Sequence, residues 1–172
     1  ERTIPSFFFG AAIAGDSASR PAQDPLTRRT LLGFTSVVGP DLQESQLDVI
    51  AAGNLILVNT STNPIIRMQS TTSSDVIESR EFSIVKAIDA FAKSLRSVLR
   101  NRIGQFNITQ QYLDDTSLVV DAACAGAVND GLLASASLDL IEQDANSPDT
   151  LNVSVSIGVL YPANYIKLTI VV

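Results

Sequence analysis

Leu151-Asn152-Val153-Ser154-Val155-Ser156-Ile157-Gly158-Val159 alternates apolar with small or polar residues, one by one. A period of two puts Leu151, Val153, Val155, Ile157 and Val159 on one face of a strand and the asparagine, serines and glycine on the other. This is the pattern of an antiparallel strand with one buried and one wet face. Working outward, Ala134 to Glu142 is the expected partner, joined through the turn-rich Asp144-Ala145-Asn146-Ser147-Pro148-Asp149. Downstream, Pro162 prevents direct continuation. Tyr165 to Val172 then alternates again, with Ile166, Leu168, Ile170 and Val172 on one face, which predicts a last strand.

Upstream of the hairpin the period changes to 3.6. A long helix is expected from about Ser79 to Ile103, with Ile84, Ile88, Phe91, Leu95, Val98 and Leu99 on one face and Lys86, Lys93, Arg96 and Arg100 opposite. A second helix from about Thr109 to Asn129 would pack Tyr112, Leu113, Thr116, Val119, Val120 and Ala123. Gly104 and Asn107 mark the break, so the two should form an antiparallel helical hairpin. Within the second helix Cys124 reads as a small buried residue, and Gly126 and Gly131 as helix-end and turn residues.

The earlier part is less periodic. Phe7 to Ala14 is a helix-like apolar segment that reads as buried, followed by a loop rich in Ser, Ala, Asp, Pro and Gly from Gly15 to Pro40. Asp41 to Gly53 fits a short helix, and Leu55 to Asn59 with Ile65 to Gln69 fits a hairpin split by Ser61-Thr62-Asn63-Pro64. The polar stretch Ser70 to Ser74 is the best boundary. The expected class is α+β: a C-terminal domain (76–172) of two antiparallel helices on a small, mainly antiparallel sheet, preceded by part of an α/β domain (1–75).

Composition narrows the function. With 172 residues, 45% of them apolar, the chain can fill a core. A net charge of −6 argues against a general attraction to nucleic acid or anionic membrane. The Phe7–Ala14 run falls well short of the roughly 18 residues of a membrane span. Neither an initiating Met nor a basic cluster precedes it, which disfavours a secretory signal. Starting at Glu1, the chain reads as a fragment, or the ordered part, of a longer polypeptide. A single cysteine allows neither an intrachain disulfide nor a cysteine metal cluster.

The absence of histidine removes Ser-His-Asp and Cys-His catalysis and the commonest zinc ligand. Gly126 and Gly131 have phosphate-loop spacing, but Leu132 stands where a lysine is required. Paired carboxylates remain: Asp114 with Asp115, and Asp41, Glu44 and Asp48. The first pair fits the front of a helix, where the macrodipole favours negative charge, and the trio fits a solvated helix face. The N-x-[ST] triplets at Asn59, Asn107 and Asn152 match at chance level. The expectation is a protein that is not an enzyme and needs no cofactor or metal.

Four stretches, in order, resemble contractile tail sheath proteins of bacteriophages and related injection machines. They are Asp24-Pro25-Leu26-Thr27 leading to Leu32-Gly33; the helix Gln46 to Gly53 before a strand; Thr71-Thr72 followed by the long helix with Arg80, Asp89 and Arg96 up to Gly104; and Gly158-Val159-Leu160-Tyr161-Pro162-Ala163-Asn164-Tyr165-Ile166. The resemblance implies that residues 1 to about 75 finish the middle domain of a sheath subunit and the rest form its tube-facing C-terminal domain. It also implies partners: copies of itself in a sixfold ring and helical lattice, a tail tube protein, and baseplate and tail terminator proteins, with no role for nucleic acid or membrane. The location would be the virion tail, after synthesis in the host cytoplasm.

Two features of the residues point the same way. A terminal strand with an apolar face can complete another chain's sheet through its backbone groups. Ile166, Lys167, Leu168, Thr169, Ile170, Val171 and Val172 are the expected donors, the rival expectation being that they pair within their own chain. Between Arg80 and Arg102 there are six basic and two acidic residues, whereas the remainder holds six basic and 16 acidic. Lys86, Lys93, Arg96 and Arg100 therefore form a candidate docking face for an acidic surface, the tube in the sheath reading, against the plainer alternative of a solvated helix face. The competing function is a small α+β partner-binding module of a soluble cytoplasmic complex.

Overall fold

The computed structural model describes residues 3–53, 55–60, 63–67, 76–164 and 166–171. It is α+β, with helices and two small antiparallel sheets. Contacts divide the chain into two compact units, Glu1–Val85 with Tyr161–Val172, and Lys86–Leu160.

The first unit holds helices α1 (Phe7–Ala18) and α2 (Glu44–Ala51), strands β1 (Ile56–Val58) and β2 (Ile65–Arg67), and the short helix α3 (Ile77–Arg80). β1 and β2 form the expected hairpin, pairing Leu57 with Ile66; the Met68 and Gln69 end of the predicted second run lies outside the described residues, as does the predicted boundary Ser70–Ser74. Ile66 is the hub. Its N–H donates to the Arg29 carbonyl (2.8 Å), its carbonyl accepts from the Arg28 N–H (2.7 Å), and its side chain is buried with Leu26 and Leu31.

Around that core pack Phe9, Ala12 and Ile13, spaced as one helical stripe of α1. The rest of the apolar run is not buried as predicted: Phe7 is 70% and Phe8 47% exposed, their rings 4.4 Å apart. A helix turns only one face to a core, and here the stripe begins at Phe9. α2 is capped by Gln43, whose N–H donates to the Gln46 side-chain oxygen (2.9 Å).

The second unit holds most of α4 (Phe82–Arg100), together with α5 (Gln110–Asn129), β3 (Ser135–Gln143) and β4 (Leu151–Gly158). Phe91, Val120, Cys124, Ala127 and Leu133 form its buried centre, flanked by Leu95 and Leu99 of α4 and by Leu138, Val153, Val155 and Ile157 of the sheet. The Thr109 hydroxyl accepts from the Tyr112 N–H (3.2 Å) to start α5. At its end the Gly131 N–H donates to the Val128 carbonyl and the Leu132 N–H to the Ala127 carbonyl, a Schellman closure that requires the positive φ of Gly131 (66°). Gly126, by contrast, lies inside the helix.

Three elements depart from the sequence reading. The long helix is interrupted: α3 ends at Arg80, Glu81 is extended (φ −77°, ψ 121°), and α4 starts at Phe82. The Glu81 side chain is 1% exposed and accepts from Ser83 Oγ (3.2 Å) and Asn164 Nδ2 (2.9 Å), so a tertiary contact overrides the local helical pattern. Second, β3 carries a bulge. Leu138 pairs with Val155 but Leu140 with Ser154, leaving Asp139 as the extra residue; Ser156 Oγ donates to Asp139 Oδ2 (2.5 Å). The bulge shifts the alternation, so that Leu140 is 46% exposed.

The third departure is the tail. Residues 166–171 form no strand and, among the described residues, pair with none. Alternation supplies a face, but a strand also needs a ladder partner. Tyr165 and Val172 lie outside the described residues.

Candidate assembly surfaces

Three surfaces have the chemistry of a docking site, and each follows from the elements above. On α4 the predicted cations occupy one helical face: Lys93, Arg96 and Arg100 are exposed and Lys86 half-buried, with exposed Asp89 between. At 1.5 Å per residue the row from Lys86 to Arg100 runs about 21 Å. Lys93, Arg96 and Arg100 make no ion pair with a described residue. The opposite face places Phe91, Leu95 and Leu99 in the core, so the stripe is the outward side of an amphipathic helix.

The second surface is the tail. Ile166, Leu168, Ile170 and Val171 are each at least 77% exposed, an apolar stretch with its alternation intact and no cover among the described residues. Lys167 and Thr169 are exposed too.

The third is the β3–β4 hairpin. Each strand pairs with one neighbour only, so each keeps one edge of unpaired backbone groups among the described residues. The turn at its tip is ordered by Asp144, which accepts from the N–H groups of Asn146 (2.7 Å) and Ser147 (3.0 Å) and from Asn152 Nδ2 (3.0 Å). These bonds hold its carboxyl below the usual range, the Asn152 bond most strongly.

Of the carboxylates that acid–base chemistry would need, three are engaged by neighbouring side chains: Glu44, Asp48 and Asp114. Glu44 (2.6 Å) and Asp48 are both bound by Arg67, tying α2 to β2, while Asp41 precedes the helix. The Glu44 bond leads in raising the Arg67 pKa. The predicted solvated face is therefore in part an ion-pair clamp. Asp114 accepts from Gln110 Nε2 (2.9 Å), and the Asp115 backbone carbonyl accepts from Arg102 Nη1 (3.1 Å). Among the described residues no group of three or more acidic or cysteine side chains could hold a metal ion, and no helix is long and apolar enough to cross a membrane. Cys124 is buried, and burial pushes its thiol pKa up.

A cavity of about 360 Å³ is lined by Arg102, Phe106, Asn107, Thr109, Gln111, Tyr112 and Asp115. Its polar groups serve the helix joint: the Tyr112 hydroxyl donates to the Arg102 carbonyl (3.4 Å), and the Arg102 guanidinium lies 5.7 Å from the Tyr112 ring centre.

The reading from residues missed the partners of the segment after β4. The Tyr161 hydroxyl donates to Glu78 Oε1 and Asn164 Nδ2 to Glu81 Oε2. No periodicity could have revealed them, since each pair is 83 residues apart in the chain.

The fold and parts of the sequence have counterparts. The chain is 25% identical over 165 residues to the tail sheath protein of Mycobacterium phage Bxz1, covering 92% of this chain and 28% of that protein. It superposes on a chain of the anti-feeding prophage baseplate, solved with sixfold symmetry, with a TM-score of 0.77 at 17% identity over 97% of this chain and 49% of the other. A chain of the anti-feeding prophage helical sheath in its contracted state gives the same TM-score at 14% identity, over 97% of this chain and 50% of the other. The chain thus spans about half the length of these solved chains and less of the phage protein. No family model matches it.

Proposed function

From the relationship of this chain to contractile tail sheath proteins, we propose that it is a structural, non-enzymatic part of a sheath subunit that polymerises as stacked sixfold rings around a tail tube. The sheath contracts to drive the tube through a target envelope. The observation that carries this reading is the coincidence of the sequence match, over 92% of the chain, with the fold match to a contracted sheath, over 97%. In this reading residues 1–75 belong to the middle domain of the subunit and 76–172 to the domain facing the tube, although 76–85 and 161–172 group with the first compact unit and only Lys86–Leu160 forms the second. The site of action is the virion tail, with synthesis in the host cytoplasm, and the further partners are baseplate and tail terminator proteins.

Physical chemistry supports each part of the assembly. An exposed, alternating apolar tail with no partner strand among the described residues is suited to complete the sheet of a neighbouring copy, each added residue satisfying backbone groups on both chains. The free edges of the β3–β4 hairpin are acceptors of the right kind. Head-to-tail contact of this type closes into a ring or propagates as a helix according to the rotation between copies, and so can build a lattice of stacked rings. A strand shared between neighbours can act as a hinge that keeps them linked while rigid subunits rotate between two packings. The energy of contraction lies in the metastable extended lattice. The row Lys86, Lys93, Arg96 and Arg100 meets an acidic surface on the tube, where charge complementarity sets the register.

Electron microscopy of the concentrated full-length protein tests the reading. Sleeves or stacked rings are expected; discrete dimers or persistent monomers would instead favour a partner-binding module.

A further inference from the structure

The segment between β4 and the tail is held at two points, by Glu78 of the short helix α3 and by Glu81 just beyond its end. Glu78 and Glu81 stand three residues apart, as do Tyr161 and Asn164, and the pairs meet in register: Tyr161 Oη on Glu78 Oε1, and Asn164 Nδ2 on Glu81 Oε2 at 2.9 Å. A tight turn, Asn164 N–H to the Pro162 carbonyl at 3.0 Å, sets the spacing of the two donors. Glu81 is 1% exposed and breaks the α3–α4 helix to present its carboxylate, whose other oxygen accepts from Ser83. Hydrogen bonds to charged acceptors are the stronger class, and a buried one is costly to leave unmade. Immediately beyond this double contact, from residue 166, the chain is exposed.

We propose that Glu78 and Glu81 are positioning residues that clamp Tyr161–Asn164 and so fix where the tail 166–171 leaves its own unit, presenting it for a neighbouring copy. The proposal rests on the strand-addition reading above. An unclamped segment would let the tail search a larger volume, and the entropy of ordering it would then oppose each addition. The clamp removes part of that cost before assembly begins.

The test uses full-length protein with spin labels at Ala11→Cys and Ala163→Cys, native Cys124 being buried. The inter-label distance distribution is compared between the parent and a Tyr161→Phe/Asn164→Ala variant, and sleeve formation is followed on the unlabelled proteins. The distribution is expected to broaden about twofold in the double variant while the cooperative thermal transition persists. The rate of sleeve formation is expected to fall about tenfold, with Tyr161→Phe alone intermediate and Glu78→Gln, which keeps an acceptor oxygen, close to the parent. An unchanged distribution in the double variant overturns the clamp. A broadened distribution with sleeves at the parental rate overturns its role in presenting the tail. Should the double variant not fold, Tyr161→Phe decides by the same two readouts. Failure of the parent itself to form sleeves sinks the assembly reading and the presentation role with it, while the label distances still judge the anchoring.

Discussion

Gly131 and Gly126 sit five residues apart near the end of α5, yet substitution should act on them in opposite directions. Gly131 has φ 66°, which an L side chain adopts at a cost, so Gly131→Ala is expected to destabilise the protein by about 1–2 kcal/mol. Gly126 is helical with no atom within 4 Å of an added Cβ, so Gly126→Ala should stabilise it by about 0.4–1 kcal/mol. Urea unfolding of both variants checks the pair. A second residue-scale prediction concerns acid. The Tyr161 hydrogen bond holds the Glu78 carboxyl below its ordinary value of 4.5, so its stabilising contribution is complete above that pH and is lost as pH falls through the lowered folded value. Tyr161, raised by the same bond, contributes below its ordinary 10 and loses that contribution as pH rises through the raised value. Thermal midpoints between about pH 6 and pH 3 should therefore fall less in Tyr161→Phe than in the parent.

At the scale of elements, α4 offers a separation of fold from function. Its buried face holds Phe91 with Leu95 and Leu99, and its outer face carries Lys93, Arg96 and Arg100, exposed. Reversing the three charges to Glu should leave the circular dichroism spectrum unchanged and shift stability by no more than about 0.5 kcal/mol. Co-sedimentation with tube protein, by contrast, should be lost in the variant and in the parent weaken with salt. What the residues disclosed of these elements follows from how local each signal is. The helical stripe of α4, the Thr109-capped α5 and the alternation of β4 are written in consecutive side chains and were legible. The break at Glu81 was not, because one of the groups that hold its carboxylate is Asn164, 83 residues away. Nor was the Asp139 bulge, since a one-residue offset exists only relative to the opposite strand. Alternation in 166–171 misled for a related reason: the period describes a face, while pairing depends on a partner that the described chain does not supply. The basic row was readable from helical spacing, whereas the carboxylates that clamp Tyr161 and Asn164 had no pattern to betray them.

At the scale of the whole molecule, the proposed assembly completes the exposed apolar residues 166–171 of one copy with the backbone of another. The cohesion of each unit rests on its own core, with Ile66 at the centre of one and Val120 in the other, so the tail can be removed without unfolding either. That makes truncation the most direct measurement. Full-length protein and a form ending at Asn164 would be compared by negative-stain electron microscopy and sedimentation velocity at matched concentration. The account predicts sleeves or ring stacks from the first, and from the second a folded protein that stays dispersed at concentrations at least about tenfold higher. Sleeves of equal length and abundance from the truncated form would contradict it.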